Sequence, residues 1–410
     1  DQMTKITPAA AAFVPRIKAE GDDVIMSSLA FVRSHLAMEI AYVSEFVGGD
    51  MVYRAVSAPG YEDVVEVGGK MPLQDGYCHH VLAGRLPELI PDTDLEPIAQ
   101  GIEMTHALPV RCYVSVPIKR ADGTIFGMFC SVGKEPRPTL NNRDLEVVRA
   151  FASLAADQLN TRLAVEAEAK TKKSAIENIL ESRAFDIALQ PIMRLQDQGT
   201  AGYEALCRFS PEPYRPPNLW FDDAAEVGLQ AALEIHVIEV ALEILPELPS
   251  SCYLAVNTSP ATLASGKLSD LMAAVDGSRI VVEITEHAAI DDLDVLLMEI
   301  DRLRDLGVRI AVDDAGAGYS GLQQIIRLRP DVIKLDMSLT QDVDKDLARR
   351  SLASAMVQFA QDTNARVVAE GIETEAELRT LKSIGVEWGQ GYHLGRPAPA
   401  ATVLQPAQSA

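Results

Sequence analysis

Between residues 200 and 391, short apolar runs keep ending in a side chain that binds cations or carries charge. The runs close as Val256-Asn257, Val281-Val282-Glu283, Ala311-Val312-Asp313-Asp314, Ile333-Lys334, Val368-Ala369-Glu370 and Trp388-Gly389-Gln390. An earlier run, Gly202 to Phe209, reads as the end of a short buried strand that carries Glu204 and Arg208. A carboxylate adds nothing to an apolar core and resists burial. Its return at the same point of successive strands describes a ring of ligands at one rim of a barrel.

The spacing of the runs supports that architecture. Strands are expected over 185–192, 200–207, 252–257, 279–283, 309–313, 332–334, 366–370 and 386–390, with helical periodicity over 221–246, 289–306, 318–328, 345–363 and 374–384. Strands alternating with helices predict an α/β chain closing as a (β/α)8 TIM barrel. Leu195-Gln196-Asp197-Gln198-Gly199 is too short for a helical crossover, so one strand of this modified barrel is antiparallel.

In such barrels reactive groups sit at the C-terminal strand ends, where Glu204, Asn257, Glu283, Asp313, Asp314, Lys334, Glu370 and Gln390 are expected. Carboxylates gathered this closely repel one another and take up protons. Oxygen-ligated cations, Mg2+ or Mn2+, resolve the conflict. Cys207 is the one soft ligand near these ends, which argues against zinc. Two ions about 4 Å apart, bridged by a carboxylate, suit attack of water on a phosphodiester, and adjacent Asp313 and Asp314 can supply the bridge.

Upstream, helical periodicity covers about 8–36. A hairpin follows: strand 41–47, the turn Gly48-Gly49-Asp50, and strand 51–56. Two further strands, 111–118 and 124–132, flank Ala121-Asp122-Gly123. The order of the Ser115-Val116-Pro117-Ile118 strand, the Asp122-Gly123 turn, the Gly127-Met128-Phe129-Cys130-Ser131 strand and a closing helix resembles a GAF domain over roughly residues 10–160. That resemblance implies a sensory domain with an antiparallel sheet, and a small cytosolic ligand is expected if its pocket is filled. Cys78-His79-His80 invites a bilin or metal reading, yet it lacks zinc spacing and is expected as a helix start with a buried thiol.

One long helix is expected over 142–182. Its three-four stripe of Leu145, Val148, Ala152, Ala155 and Leu159 predicts a parallel seam with a sister helix, hence a homodimer. The boundaries follow: a sensory domain over 1–160, a linker helix over 161–182 and the barrel over 183–402.

Residues 185–398 carry Gln190-Pro191-Ile192, Glu204-Ala205-Leu206 with Arg208, Asn257-Thr258-Ser259-Pro260, Glu283-Ile284-Thr285-Glu286, Asp313-Asp314-Ala315-Gly316, Lys334-Leu335-Asp336, Glu370-Gly371-Ile372-Glu373 and Gln390-Gly391-Tyr392. In this order they resemble the EAL-type cyclic di-GMP phosphodiesterases. The resemblance implies that Glu204, Asn257, Glu283 and Asp313 hold one cation and that Asp313, Asp314 and Glu370 hold the second. It implies that Lys334 positions or helps deprotonate the attacking water, with Glu370 as a further base. Arg208 would meet a phosphate and Gln190 a guanine. Gln390, Asp336 and Glu373 would orient the water and Lys334, and Glu286 would anchor the loop starting at Asp313. The family usually has Phe where Ala315 stands, so looser loop control is expected with metal binding kept.

Composition narrows the partners. A chain of 410 residues holds two or three domains. Its net charge of −22 repels nucleic-acid polymers. No apolar run approaches the ~20 residues of a membrane span, and no charged-then-apolar leader follows Asp1. The scattered Cys78, Cys112, Cys130, Cys207 and Cys252 are odd in number and suit reduced thiols in a cytoplasmic protein. The reading is a metal-dependent hydrolase converting cyclic di-GMP to linear pGpG under control of the sensory domain. The alternative is a non-catalytic cyclic di-GMP receptor signalling through its dimer, a class in which ligands are usually lost.

Overall fold

The computed structural model describes residues 20–284, 292–315 and 325–404. The chain forms two compact units, Asp1–Ala167 and Glu168–Ala410.

The first unit is built on an antiparallel sheet of β1 (Ile40–Val47), β2 (Asp50–Ser57), β3 (Lys70–Pro72), β4 (Leu89–Ile90), β5 (Cys112–Lys119) and β6 (Ile125–Gly133), in the order β3-β2-β1-β6-β5-β4. The β1–β2 hairpin turns at Gly48 and Gly49, both at positive φ, with Val47 opposite Asp50. Strand alternation sends successive residues to opposite faces. Tyr42, Tyr113, Met128 and Cys130 therefore share one core with Cys78 of the helix Tyr77–Leu82. Ala41, Val43, Val114 and Phe129 share the other with the helix Glu20–His35.

That second core revises the expected dimer seam. The helix Asn142–Ser182 forms over the expected span, but Leu145, Val148, Ala152 and Ala155 are buried against Leu29, Val32, Cys112 and Phe129 of the same unit. A stripe covered by its own sheet no longer calls for a sister helix. The end of this helix does likewise in the second unit, where Ile176 and Ile179 are fully buried in the barrel's outer core. The expected helix start near residue 8 lies outside the described residues.

The second unit is a closed barrel. Its strands are β7 (Phe185–Arg194), β8 (Thr200–Phe209), β9 (Tyr253–Thr258), β10 (Ile280–Ile284), β11 (Arg309–Ala315), β12 (Val332–Leu335), β13 (Arg366–Ala369) and β14 (Trp388–Gly389). Neighbours from β8 to β14 pair parallel. β7 pairs antiparallel with both β8 and β14, which closes the ring with one reversed strand. A short β15 (Ala398–Pro399) adds to β7. The helix expected over 221–246 divides into Pro217–Glu226 and Gln230–Leu242, because Gly228 takes positive φ between them. Of the helix expected over 318–328, only 325–328 falls among the described residues.

Inside the barrel two layers alternate. Ile192, Tyr253, Ala255, Val281, Ala311, Val332, Val368 and Trp388 belong to an apolar floor. Two residues further toward the rim on the parallel strands, the same face carries Asn257, Glu283, Asp313, Lys334, Glu370 and Gln390, as a period of two requires. Gly202 leaves room for this floor: a Cβ there would lie 2.6 Å from the Tyr253 ring.

Candidate active site

Lys334 is the centre of the polar layer. It is 1% exposed on β12, and its Nζ lies 2.7 Å from Glu283 Oε2, 2.8 Å from Glu370 Oε1, 3.3 Å from Asp313 Oδ1 and 3.5 Å from Glu204 Oε2. Burial disfavours its charge, but the carboxylates outweigh burial and hold the ammonium well above the ordinary lysine value. One ammonium cannot balance the surrounding acids. Burial pushes Glu283 well above the usual carboxyl range and Glu370 up to about 8, despite attraction to Lys334 in each case. Glu204 goes the other way. Burial opposes its charge, yet Lys334 and the amides of Gln390 and Asn257 bring its pKa below the usual value.

Glu204 does not end its strand, as the sequence suggested. β8 runs on to Phe209, since Arg208 and Phe209 stay paired with Asp186 and Phe185 of the hairpin partner. Glu204 sits halfway along, opposite Gln190. Asn257 Nδ2 donates to Glu204 Oε1 at 2.9 Å and Gln390 Nε2 donates to Glu204 Oε2 at 2.6 Å. Gln390 Nε2 also donates to Gln190 Oε1 at 2.9 Å, while Gln190 Nε2 donates to the Gly395 carbonyl. A base contact by Gln190 must therefore exchange one of these bonds.

Adjacent residues of a regular strand point to opposite faces. Asp313 and Asp314 escape this through a bulge. Val312 pairs with Ile333 and Ala315 with Leu335, so the β11 side holds one extra residue, and Asp314 takes φ 57°. Carboxylate oxygens of Asp313, Asp314 and Glu370 then lie within 4.8 Å of one another. Ala315 is fully buried at the end of this bulge.

The residues expected to hold the second cation are thus drawn together, whereas Glu204, Glu283 and Asp313 of the first set meet at Lys334 Nζ. The donors of both sets are of a kind that suits hard divalent ions: carboxylates and one amide, without imidazole. Gln390 Oε1 is buried with no hydrogen-bond partner, a further oxygen facing no donor. Arg208 lies apart from the carboxylates, its Nη1 donating to the Cys207 carbonyl at 2.9 Å. It lines a cavity of about 590 Å³ together with Asn218, Phe221, Asp222, Asn257 and Ser259. Asp336 caps the short helix Met337–Thr340 through Ser338 N, and Glu373 is exposed, with Gln341 Nε2 3.4 Å from its Oε1. Neither is within ion-pair distance of Lys334. Glu286 lies outside the described residues.

Glu234 was not foreseen. This buried acid on the helix Gln230–Leu242 accepts from Ser259 N at 2.8 Å, Ser259 Oγ at 3.0 Å and Thr258 Oγ1 at 3.2 Å. It fixes the turn that follows Asn257. Its signal in the sequence was faint, one acid on an otherwise apolar helix face.

A barrel with a carboxylate ring around one lysine defines the class of the second unit, and sequence comparison supplies the family. Residues 173–397 match the EAL domain, and the chain belongs to that family; residues 21–159 match the GAF domain. Among curated relatives, the chain is 30% identical over 237 residues to the bifunctional diguanylate cyclase/cyclic di-GMP phosphodiesterase MucR of Pseudomonas aeruginosa, covering 55% of this chain and 35% of that one. It is also 30% identical over 236 residues to the cyclic di-GMP phosphodiesterase NbdA of the same organism, covering 55% and 30%. The chain spans about a third of the length of these relatives. A solved MucR phosphodiesterase in complex with c-di-GMP superposes with a TM-score of 0.52 at 29% identity, covering 57% of this chain and 99% of that one.

Proposed function

We propose that this chain hydrolyses cyclic di-GMP to linear pGpG with the help of two divalent cations, Mg2+ or Mn2+. The observation that carries the reading is the Lys334-centred carboxylate layer at the C-terminal strand ends, with Asn257 of the same ring lining the Arg208 cavity. The named phosphodiesterase activity of MucR and NbdA supports it.

Glu204, Asn257, Glu283 and Asp313 would hold one cation, and Asp313, Asp314 and Glu370 the other. When bound, such cations polarise the phosphate and lower the pKa of water. The chain's own residues do the rest. Arg208 offers a guanidinium fork to a phosphate oxygen pair at the mouth of the cavity. The cavity walls, with Phe221 as an aromatic face, take a base. Lys334, held as an ammonium by the carboxylates of the cation-free site, would orient the attacking oxygen. Glu370, whose Oε1 lies 2.8 Å from Lys334 Nζ, would accept that proton. Water adds to phosphorus, the ring P–O bond to one 3′ oxygen breaks, and that oxygen leaves as a hydroxyl once protonated. The GAF domain is assigned the regulatory role.

The test is a product assay on the full chain with cyclic di-GMP, in Mg2+, Mn2+, Ca2+ or chelator. Linear pGpG is expected with the first two. Ca2+ should bind without supporting turnover, because its loose coordination activates water poorly. Binding of cyclic di-GMP with no product in any metal would replace the hydrolase reading by the receptor.

A further inference from the structure

Near its barrel end, the long helix Asn142–Ser182 places a lysine where its apolar stripe would continue. Ile176 and Ile179 carry that stripe into the barrel's outer core, and Lys172 precedes Ile176 by one turn on the same face. Its Nζ lies 2.6 Å from Glu226 Oε2, 3.0 Å from Glu168 Oε1 and 3.5 Å from Asp223 Oδ1. Glu168 is a neighbour on the same helix. Asp223 and Glu226 belong to another element, the helix Pro217–Glu226.

That second helix is held from two points. Asp223 is buried, and Arg215 Nη1 lies 2.8 Å from its Oδ2 while the same guanidinium covers the Trp220 ring at 4.6 Å. Arg215 thus fixes the start of the helix. Glu226, its last residue, is tied to Lys172, and the chain then turns through Gly228 at positive φ. The other side of this helix faces the cavity: Asn218, Phe221 and Asp222 line it together with Arg208 and Asn257. The helical period sets Asp223 and Glu226 about 140° round the axis from Asn218 and Phe221. A grip on the outer side of so short a helix therefore sets how far its inner side reaches over the cavity.

We propose that Lys172 is a positioning residue for the substrate: by holding Glu226 and Asp223 it sets the Asn218–Phe221 wall against the bound base. This rests on the function proposed above and adds a means of controlling it. The helix that carries Lys172 also supplies Leu145, Val148, Ala152 and Ala155 to the core of the first unit, so one continuous element holds a wall of the substrate cavity. An ion pair of partly exposed groups separates at small cost. It suits a grip that can be let go, where a buried apolar contact does not.

The experiment uses the full chain. Calorimetry in Ca2+ gives the affinity for cyclic di-GMP without turnover, and a product assay in Mn2+ gives kcat and KM. Lys172→Met should weaken the affinity and raise KM by about fivefold, with kcat and Mn2+ affinity within about twofold of the parent. Glu226→Gln should do the same, and the double variant should be no worse than either single, because both remove one interaction. Lys172→Arg keeps a cation between the two acids and should restore the parent affinity. Lys173→Met, whose lysine faces Glu177 instead, should bind as the parent does. Hydrogen exchange of the amides of residues 217–226 should quicken in Lys172→Met and stay unchanged in Lys173→Met. Should Lys172→Met lose its fold, Glu226→Gln at the exposed partner carries the same test. Unchanged affinity in the folded variants, an additive double variant, or a loss confined to kcat would each overturn the inference. A parent chain that binds no cyclic di-GMP would instead overturn the function proposed above, and unchanged exchange over 217–226 would then show that the grip is absent as well.

Discussion

Lys334 is held by more negative charge than one ammonium can balance, and that imbalance sets the behaviour of its neighbours. Glu370, raised to about 8, keeps its proton at neutral pH as long as no cation is bound. For a raised carboxyl the charged form is gained as pH climbs through the folded value. Mn2+ affinity should therefore rise between about pH 6 and pH 8, by up to about tenfold per unit, with proton release on binding. Calorimetry in two buffers of different ionisation enthalpy would check this, and a flat profile would contradict it. Removing the ammonium should act on chemistry more than on affinity. Lys334→Met is expected to lower kcat by about 10²–10⁴-fold while KM for cyclic di-GMP moves little. Glu204→Ala should abolish turnover, since it removes a charged oxygen and strands the amides of Asn257 and Gln390 in a buried site. A Glu204 variant with near-parental turnover would remove the two-cation reading. Glu370 was legible in the sequence because an acid closing an apolar run has no packing purpose, and Glu204 because an acid within a buried strand has none either. Glu234 was not legible, because a single acid on a helix has many ordinary explanations and only the fold brings it to Ser259.

The β11 bulge shows what periodicity alone could not supply. Two neighbouring aspartates on a regular strand cannot serve one site, and the sequence held no sign of the left-handed backbone at Asp314 that brings their carboxylates together. Asp and Asn tolerate that conformation, whereas a β-branched side chain does not. Asp314→Asn should keep the melting temperature of the parent and lose most activity. Asp314→Val should lose activity and also about 1–2 kcal/mol of stability. Equal stability in both variants would mean that the bulge relaxes at no cost. The long helix makes the opposite point. Its extent was legible from length and stripe, but its partner was not, because a three-four stripe fits a sheet as well as a second helix. Val148→Ala should therefore cost about 2 kcal/mol in the unfolding of the first unit, independent of protein concentration. A loss that vanishes on raising the concentration would restore the sister helix.

At the scale of the whole chain, the reversed β7 was readable from a five-residue connection too short for a crossover, and the eight strands from their spacing. The boundaries were less so, since apolar runs do not mark where pairing stops: β8 outlasts its acid by several residues. The net charge of −22 would act on the proposed ligand, cyclic di-GMP, which is itself an anion. Added inert salt should therefore lower KM modestly as the long-range repulsion is screened, the reverse of what a lysine-lined cleft shows. The apolar floor has a further effect. Tyr253 and Trp388 stand with ring centroids 5.4 Å apart, and Arg309 and Arg366 cover their outer faces at 4.9 and 4.7 Å. Among the described residues the barrel is stoppered at that end. A substrate of the proposed reaction would therefore have to enter, and its product leave, on the side of the polar layer, and the two would share one queue.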